Sequence, residues 1–416
     1  MNRAVYILSA ARTPIGKYGG SLRDLTAPDL GVIAARAALE RAGIAADEIG
    51  AAVFGHARQA GNGPNPARQI AVRAGIPHHV PAWTVNMACA SGLQAIVLGY
   101  QEIILGKAQA VLAGGVESMS RVPYLVDEAR WGARIGHQAL VDAMYRDGFL
   151  CPLARLVMGE TAELLAAQYR ITREEQDEYA LTSQARARRA VEDGRLAAEI
   201  VPVRIQSKHG ERTLVADEHP RCETTIESLA RLPPVFRQEG TITAGNSSGI
   251  TDGAAALVLA SEEKMLQLRA ARRARLGSGS AEIEPMARIG NAAAVGVDPR
   301  QMGIGPVPAV RKLLAQTGRR LDEYDLVELN EAFAAQVLAC DRELHFDRER
   351  LNVNGGAIAL GHPVGCSGAR IVVTLLHEMK RRGARRGLAT LCVSGGLGVA
   401  LDLEAVDPQS QGESGT

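Results

Sequence analysis

Val85-Asn86-Met87-Ala88-Cys89-Ala90-Ser91-Gly92 is the stretch around which the rest of the chain is read. Its first half closes a run from Ala82 to Asn86 that is compatible with a strand. Leu93 to Leu105 then forms a long apolar segment with Gly99 as its only weak helix former, and it reads as a buried helix. Cys89 stands between the two, at or just before a helix N-terminus. Free backbone N–H groups and the positive end of the helix dipole favour a thiolate there. The small neighbours Ala88, Ala90, Ser91 and Gly92 leave room for a substrate to reach the sulfur. The competing reading is a buried structural cysteine, because free cysteine is among the most buried residue types.

Upstream, Val5 to Leu8 is a buried-type strand broken by Thr13-Pro14-Ile15-Gly16. Helical periodicity runs from Asp29 to Ala42 and stops at Gly43, Ala51 to Phe54 is a strand, and Ala67 to Ala74 is a helix. Downstream of the cysteine, Ala110 to Ala113 is a strand ending in Gly114-Gly115. This alternation predicts an α/β domain with a largely parallel sheet. From Arg121 to Ile242 the rhythm changes to charged helices (Gly159 to Gln168, Arg173 to Asp193) between irregular Pro-containing stretches, which reads as an insertion. A strand resumes at Ala256 to Ala260, a basic run at Arg269 to Arg275 reads as a solvated helix, and Gly277-Ser278-Gly279-Ser280 reads as a linker.

The last third echoes the first. Ser91-Gly92, an apolar helix, a strand and Gly114-Gly115 are matched by Ser367-Gly368, an apolar helix to Met379, a strand from Leu388 to Val393 and Gly395-Gly396. This predicts two similar halves packed together. The tail Asp407 to Thr416 is polar and reads as disordered.

With 416 residues there is chain enough for two or three domains. A formal net charge of +1 removes the electrostatic case for a nucleic-acid or membrane-surface partner, and 4% aromatics leave few stacking platforms. The six cysteines are scattered without a CxxC pair, as expected of reduced thiols rather than a disulfide framework or zinc site. No signal peptide or membrane span is legible, so a cytoplasmic address is expected.

Three further stretches carry chemistry. Asn352 to Gly368 places His362 on a loop of five glycines, where an imidazole could take a proton from a nearby thiol. Cys392-Val393-Ser394-Gly395-Gly396 sends a cysteine from a strand into a turn whose N–H groups could hold an oxyanion. Asn330-Glu331-Ala332-Phe333 follows the strand Leu326 to Leu329; Asn330 suits a helix N-cap, or could present its amide to a water or substrate.

Together, and in this order, Asn86 to Leu93, Asn330 to Phe333, Gly361-His362-Pro363 and the Cys392 block resemble the signature blocks of the thiolases, acyl-CoA C-acyltransferases of the acetoacetyl-CoA or 3-ketoacyl-CoA type. Supporting stretches at Ala10–Gly16, Met158–Glu163, Asp217–Arg221 and Ala244–Gly249 are similar too, so the likeness spans Val5 to about Leu403.

The resemblance implies Cys89 as the acylated nucleophile, His362 as its base and Cys392 as acid or base at the α-carbon of the second substrate. Asn330 would hold a water that helps stabilise an enolate, and the backbone N–H groups of Cys89 and Ser394 would form an oxyanion hole. It further implies a five-layer αβαβα fold of two similar α/β halves. The expected divisions are an N-terminal domain (1–120 plus 247–275), an inserted loop domain (121–246), a C-terminal domain (276–405) and a tail (406–416). Acyl-CoA and coenzyme A would be substrates, with no bound cofactor and no metal, in a homodimer or homotetramer. Met158, Arg221, Phe236, Ser248 and Phe333 fall where the family contacts its substrate.

Two positions depart from the pattern. Val157 stands where acetoacetyl-CoA-type members carry a histidine, and Ser394 where a glycine is common. The first leaves a longer or functionalised acyl chain open. Cys366 has no assigned role and is expected to be structural. A decarboxylating ketosynthase would lack Cys392; a non-catalytic acyl-CoA-binding or lipid-binding relative would have lost Cys89, His362 or Cys392.

Overall fold

The computed structural model describes residues 4–207, 210–276 and 283–406; the linker at Gly277–Ser280 and the tail from Asp407 lie outside the described residues. The first half contains β1 (Val5–Arg12), α1 (Ala27–Ala42), β2 (Ala51–Gly55), α2 (Pro66–Arg73), β3 (Ala82–Val85), α3 (Ser91–Ile104) and β4 (Ala110–Ser118). Helix α1 starts where it does because Thr26 and Asp29 cap each other: Thr26 Oγ1 accepts from Asp29 N at 3.2 Å and Asp29 Oδ2 from Thr26 N at 2.9 Å. Gly43, at φ 64°, ends it.

Between β4 and the next core strand lie three two-stranded ribbons and the helices α4 (Met158–Tyr169) and α5 (Arg173–Glu192). The chain re-enters the core with β5 (Thr251–Ser261) and α6 (Glu262–Leu276). The second half adds β6 (Ala287–Gly296), α7 (Pro306–Thr317), β7 (Leu326–Leu329), α8 (Ala334–Leu344), α9 (Val364–Arg382), β8 (Arg386–Val393) and β9 (Leu397–Glu404).

The main strands run in the order β7-β8-β9-β6-β1-β5-β4-β2-β3. Within this row the run β2-β4-β5-β1 and the run β7-β8-β9-β6 have the same pairing pattern: one parallel pair, then two antiparallel pairs. Even β3 has a counterpart, since Leu351 makes a parallel bridge to Val327 of β7 as β3 does along β2. The expected repeat is therefore present.

The largely parallel sheet is not. β5 returns antiparallel between β1 and β4, and β9 folds back on β8, so antiparallel pairs dominate. A strand that comes back through a hairpin, or from a long insertion, is not held to the crossover geometry that makes neighbours parallel. Gly114 and Gly115 also lie inside β4 rather than ending it. A Cβ on Gly114 would come within 2.2 Å of the Ala255 carbonyl oxygen, so these glycines serve close approach rather than termination.

Five layers follow from where the apolar faces go. Helices α3 and α9 pack on each other between the halves, against Val53, Val111 and Leu257 on one side and Ala389, Leu391 and Leu401 on the other. Helices α1 and α2 cover the outer face of the first half, and α7 and α8 that of the second. The α3–α9 contact is close enough that a Cβ on Gly92 would sit 2.7 Å from Ala369 N, and one on Gly368 2.5 Å from Leu93 N. Among the described residues no helix is long and apolar enough to cross a membrane.

Candidate active site

The turn from β3 into α3 is built to present Cys89. Ala88 takes φ 44°, a left-handed conformation that costs a residue with a Cβ about 1 kcal/mol, and Cys89 follows in a 3-10 turn before the helix. Side chains hold the strained turn in place. Ser91 Oγ accepts from Met87 N at 2.9 Å and donates to the Ala88 carbonyl at 2.7 Å, while Asn86 Oδ1 accepts from Ala88 N at 3.0 Å. Cys89 is half-buried. Burial pushes its thiol up, but the N–H groups of Ser394 and Cys89 and the charge of Arg58 oppose that by favouring the thiolate. Those two N–H groups are the pair expected to form the oxyanion hole, and the donor at Ser394 survives the departure from glycine.

His362 reaches the same place from the second half. Gly361 turns at φ 98°, with Thr251 Cγ2 only 2.3 Å from where a Cβ would stand, and His362 N donates to the Gly249 carbonyl at 2.9 Å. Nδ1 lies 2.5 Å from Ser367 Oγ, whose own hydroxyl donates to the Pro363 carbonyl at 3.0 Å. Ser367 therefore accepts from Nδ1–H, which fixes the tautomer and leaves the Nε2 lone pair free. Nε2 is buried without a partner among the described residues. Burial, reinforced by the charges of Arg370 and Arg58, brings the imidazole down to about 3, so it is neutral at pH 7 and able to accept a proton. Sequence reading used Ser367 only as part of the repeat; its spacing five residues after His362 was the available signal.

Cys392 is the penultimate residue of β8, fully buried, and burial together with the neighbouring Cys89 raises its thiol well above the ordinary value. Asn330 is buried, and among the described residues neither of its side-chain polar atoms has a partner. It is not an N-cap: α8 begins at Ala334 with Phe333 in the cap position, because the chain after Asn330 first bridges to Ser247 through Phe333. Cys366 is buried in the central core and its thiol is raised to about 12 by burial.

Two buried carboxylates that sequence reading missed tie these pieces together. Glu331 accepts from Tyr179 Oη at 2.8 Å, Ser183 Oγ at 2.7 Å, Asn352 Nδ2 at 3.0 Å and Ile358 N at 3.2 Å, pinning the His362 loop to α5. Glu117 accepts from Arg58 N at 3.1 Å and Gly365 N at 2.8 Å and lies 3.0 Å from His56 Nε2, linking the loop after β2 to the start of α9. Burial pushes the Glu117 carboxyl up, but His56, Arg58 and the Gly365 N–H outweigh it and hold it below its ordinary value. Neither had a local signal in the sequence: Glu117 lies inside β4, and Glu331 is bonded by residues from α5 and from the stretch Asn352–Ile358, far along the chain.

A cavity of about 590 Å³ joins the site. Cys89, His362, Cys392 and Ser394 line it, as do all five residues expected at the substrate: Met158, Arg221, Phe236, Ser248 and Phe333. Asn330 does not line it, although Ala332 and Phe333 of its block do. Phe236 and Phe333 meet edge to face, with ring centroids 6.2 Å apart. Val157 also faces the cavity, as do Arg58 and His219, which sequence reading did not single out. Among the described residues no cluster of three or more metal-capable side chains exists.

The model of the thiolase N-terminal domain matches residues 5–263, and that of the thiolase C-terminal domain matches residues 283–405. The chain belongs to the thiolase family. Similar thiolases include proteins named acetyl-CoA acetyltransferase from Pseudomonas aeruginosa, 50% identical over 96% of this chain and 98% of that protein, and from Escherichia coli, 48% identical over 96% and 99%. Among solved structures, an acetyl-CoA acetyltransferase from Bacillus anthracis superposes with TM-score 0.92 at 46% identity, covering 98% of this chain and 100% of that one. A human mitochondrial 3-ketoacyl-CoA thiolase in complex with CoA superposes with TM-score 0.90 at 42% identity, covering 97% and 98%. The first match runs through the helix start that carries Cys89 and the second through the one that carries His362.

Proposed function

We propose that this thiolase is an acyl-CoA C-acyltransferase that makes and breaks 3-ketoacyl-CoA through an acyl-Cys89 intermediate. The observation that carries the reading is one cavity holding Cys89 with two N–H donors, a neutral His362 with free Nε2, and Cys392. The names of its relatives and the CoA complex of a similar thiolase support the same substrate class.

In the degradative direction His362 takes the Cys89 proton, and the sulfur attacks the C3 ketone of a 3-ketoacyl-CoA. The C2–C3 bond breaks, its electron pair goes to C2, and Cys392 supplies the proton that completes acetyl-CoA. CoA thiol then attacks the acyl-Cys89 thioester and frees the enzyme. Condensation of two acetyl-CoA is the reverse. The N–H groups of Cys89 and Ser394 face the oxygen that becomes negative in each acyl transfer. Asn330, whose amide lacks a protein partner, is assigned the water that steadies the enolate with His362.

Lys17 and Arg221, both exposed on the cavity wall, suit the phosphates of CoA, while Met158, Phe236, Ser248 and Phe333 suit pantetheine. The region 121–246 is read as the part that cradles it. CoA is substrate and product, and the side chains named suffice for the chemistry without a resident cofactor. A cytoplasmic homodimer or homotetramer is the matching expectation, checked by fractionation and light scattering.

Thiolysis of acetoacetyl-CoA, with mass spectrometry of Cys89, tests the reading. Cys89→Ala should abolish acyl transfer, and Cys392→Ala should retain acyl-Cys89 while losing carbon–carbon chemistry. Residual thiolysis in the first variant, or no adduct in the second, would overturn the assignment.

A further inference from the structure

Arg58 lies outside every signature stretch, yet its side chain enters the cavity that holds Cys89. It is 9% exposed, and Nε is buried without a partner. Among the described residues its guanidinium donates no hydrogen bond and has no carboxylate at ion-pair distance. Glu117, the carboxylate in its neighbourhood, is already engaged by His56 and by the N–H groups of Ala57, Arg58 and Gly365.

Room for the guanidinium is made by Gly148, where a Cβ would stand 2.6 Å from Nε and 2.7 Å from Nη2. Glu117 offsets this charge only at longer range, no carboxylate bonds the guanidinium, and of its nitrogens only Nε is among the buried atoms without a partner, so an anion entering the cavity could bond the remaining donors. No Asp or Glu lines the cavity, so the protein does not supply that anion from its walls.

The part of the substrate that meets Arg58 follows from position. The phosphates of CoA are separated from the reacting carbon by the whole pantetheine arm, and the exposed Lys17 and Arg221 stand ready for them. Arg58 is instead buried, next in sequence to Ala57 of a small apolar cluster that also includes Met144, Phe149, Val364 and Cys89. Its charge is felt by Cys89 and His362, and by Glu117. That places Arg58 on the part of the wall nearest the reacting sulfur, where the transferred acyl chain would lie.

We propose that Arg58 selects 3-ketoacyl-CoA substrates whose acyl chain ends in a carboxylate. This rests on the thiolase reading and names the substrate class of the same site. For the CoA thioester of 3-oxohexanedioic acid, Cys89 attacks C3 and the C2–C3 bond breaks, with its electron pair going to C2. C2 takes a proton from Cys392 to give acetyl-CoA, leaving a 3-carboxypropanoyl group on Cys89 with its carboxylate against Arg58. CoA thiol then accepts that acyl group and restores the Cys89 thiol. The buried guanidinium is planar and suited to a bidentate carboxylate, which a lysine would not match.

The test compares that thioester with 3-oxohexanoyl-CoA, of equal chain length and ending in a methyl group, with acetoacetyl-CoA as reference. The expected result is a preference of at least about 10-fold in kcat/KM for the carboxylate substrate. That preference is lost or inverted in Arg58→Leu and partly retained in Arg58→Lys. No preference in the unaltered enzyme overturns the proposal. So does an equal fall for all three substrates in Arg58→Leu, which would mean that Arg58 serves the Cys89 thiolate instead. Mass spectrometry separates the two levels of the argument: absence of any acyl adduct on Cys89, even from acetoacetyl-CoA, removes the thiolase reading itself.

Discussion

The starts of α3 and α9 occupy equivalent places in the two halves of the molecule, and they are made differently. In each, the functional side chain sits one residue before the N-cap: Cys89 before Ala90, and His362 before Pro363. In each, the residue ahead of it has positive φ, at 44° for Ala88 and 98° for Gly361. The first half accepts a strained alanine, held by Asn86 and Ser91; the second uses glycine and spends its neighbouring serine, Ser367, on the imidazole. Stacking one βα unit against another brings two helix starts face to face. On the proposed mechanism one carries the nucleophile and the other its base, so that a duplicated element supplies both.

Each prediction probes one side of this pairing. His362→Ala removes the base and should lower thiolysis by about 10³-fold, within the usual span for a general base; turnover near the unaltered rate would end the equivalence of the two helix starts. Gly365→Ala should cost about 1–3 kcal/mol of stability, seen as a lowered thermal midpoint. Its Cβ would press within 2.7 Å of both Ala57 N and the Val116 carbonyl, and an unchanged midpoint would mean that the junction of the halves yields.

Ser367→Ala takes away the acceptor that orients His362, and we expect about a 10-fold loss in kcat, the low end of what mispositioning a catalytic base costs. The same residue makes the pH dependence diagnostic. His362 is lowered to about 3 in the fold against an ordinary value near 6.5, so between those limits the unfolded chain binds the proton and the folded one does not. Its contribution to stability is therefore complete above about 6.5 and drains away as pH falls towards 3. Accordingly kcat/KM should show no acid limb at the ordinary histidine value. An inflection near 6.5 that disappears in His362→Ala would contradict this.

The smallest effect is expected at Ala88→Gly. Relief of the left-handed strain and the added freedom of glycine should nearly cancel, leaving stability within about 1 kcal/mol. Alkylation of Cys89 by iodoacetamide should still slow several-fold as the turn loosens; an unchanged rate would show that the strain has no part in presenting the sulfur.

Much of the fold was legible because local chemistry and pattern agreed. The helix stop at Gly43, the apolar helices at Leu93 and Ile371 and the strand at Leu388 appear where sequence places them, while the Thr26 cap starts the first helix two residues before the expected Asp29. Strand direction was not legible, since β5 pairs with β1 and β4 across a long insertion and nothing within Thr251–Ser261 records that orientation. Within the site, Cys89, His362 and Cys392 announce themselves as reactive types among small residues and glycines. Asn330 is recognisable, but its Oδ1 caps no helix. Glu117, Glu331 and Arg58 gave no sign because their roles lie in partners distant along the chain.

The amino-acid order by itself determined which elements form, that one half repeats the other, and which side chains are chemically able to react. These depend on near neighbours, through periodicity, capping and the small residues that leave a sulfur or an imidazole accessible. Only the tertiary structure decided that Cys89 meets the Ser394 N–H, that Ser367 fixes the His362 tautomer, and that Arg58 stands, with no carboxylate at ion-pair distance among the described residues, on the wall of the cavity that holds Cys89. The reason is physical: desolvation, tautomer choice and charge pairing are set by the atoms that pack around a group, and here those atoms come from both halves of the chain.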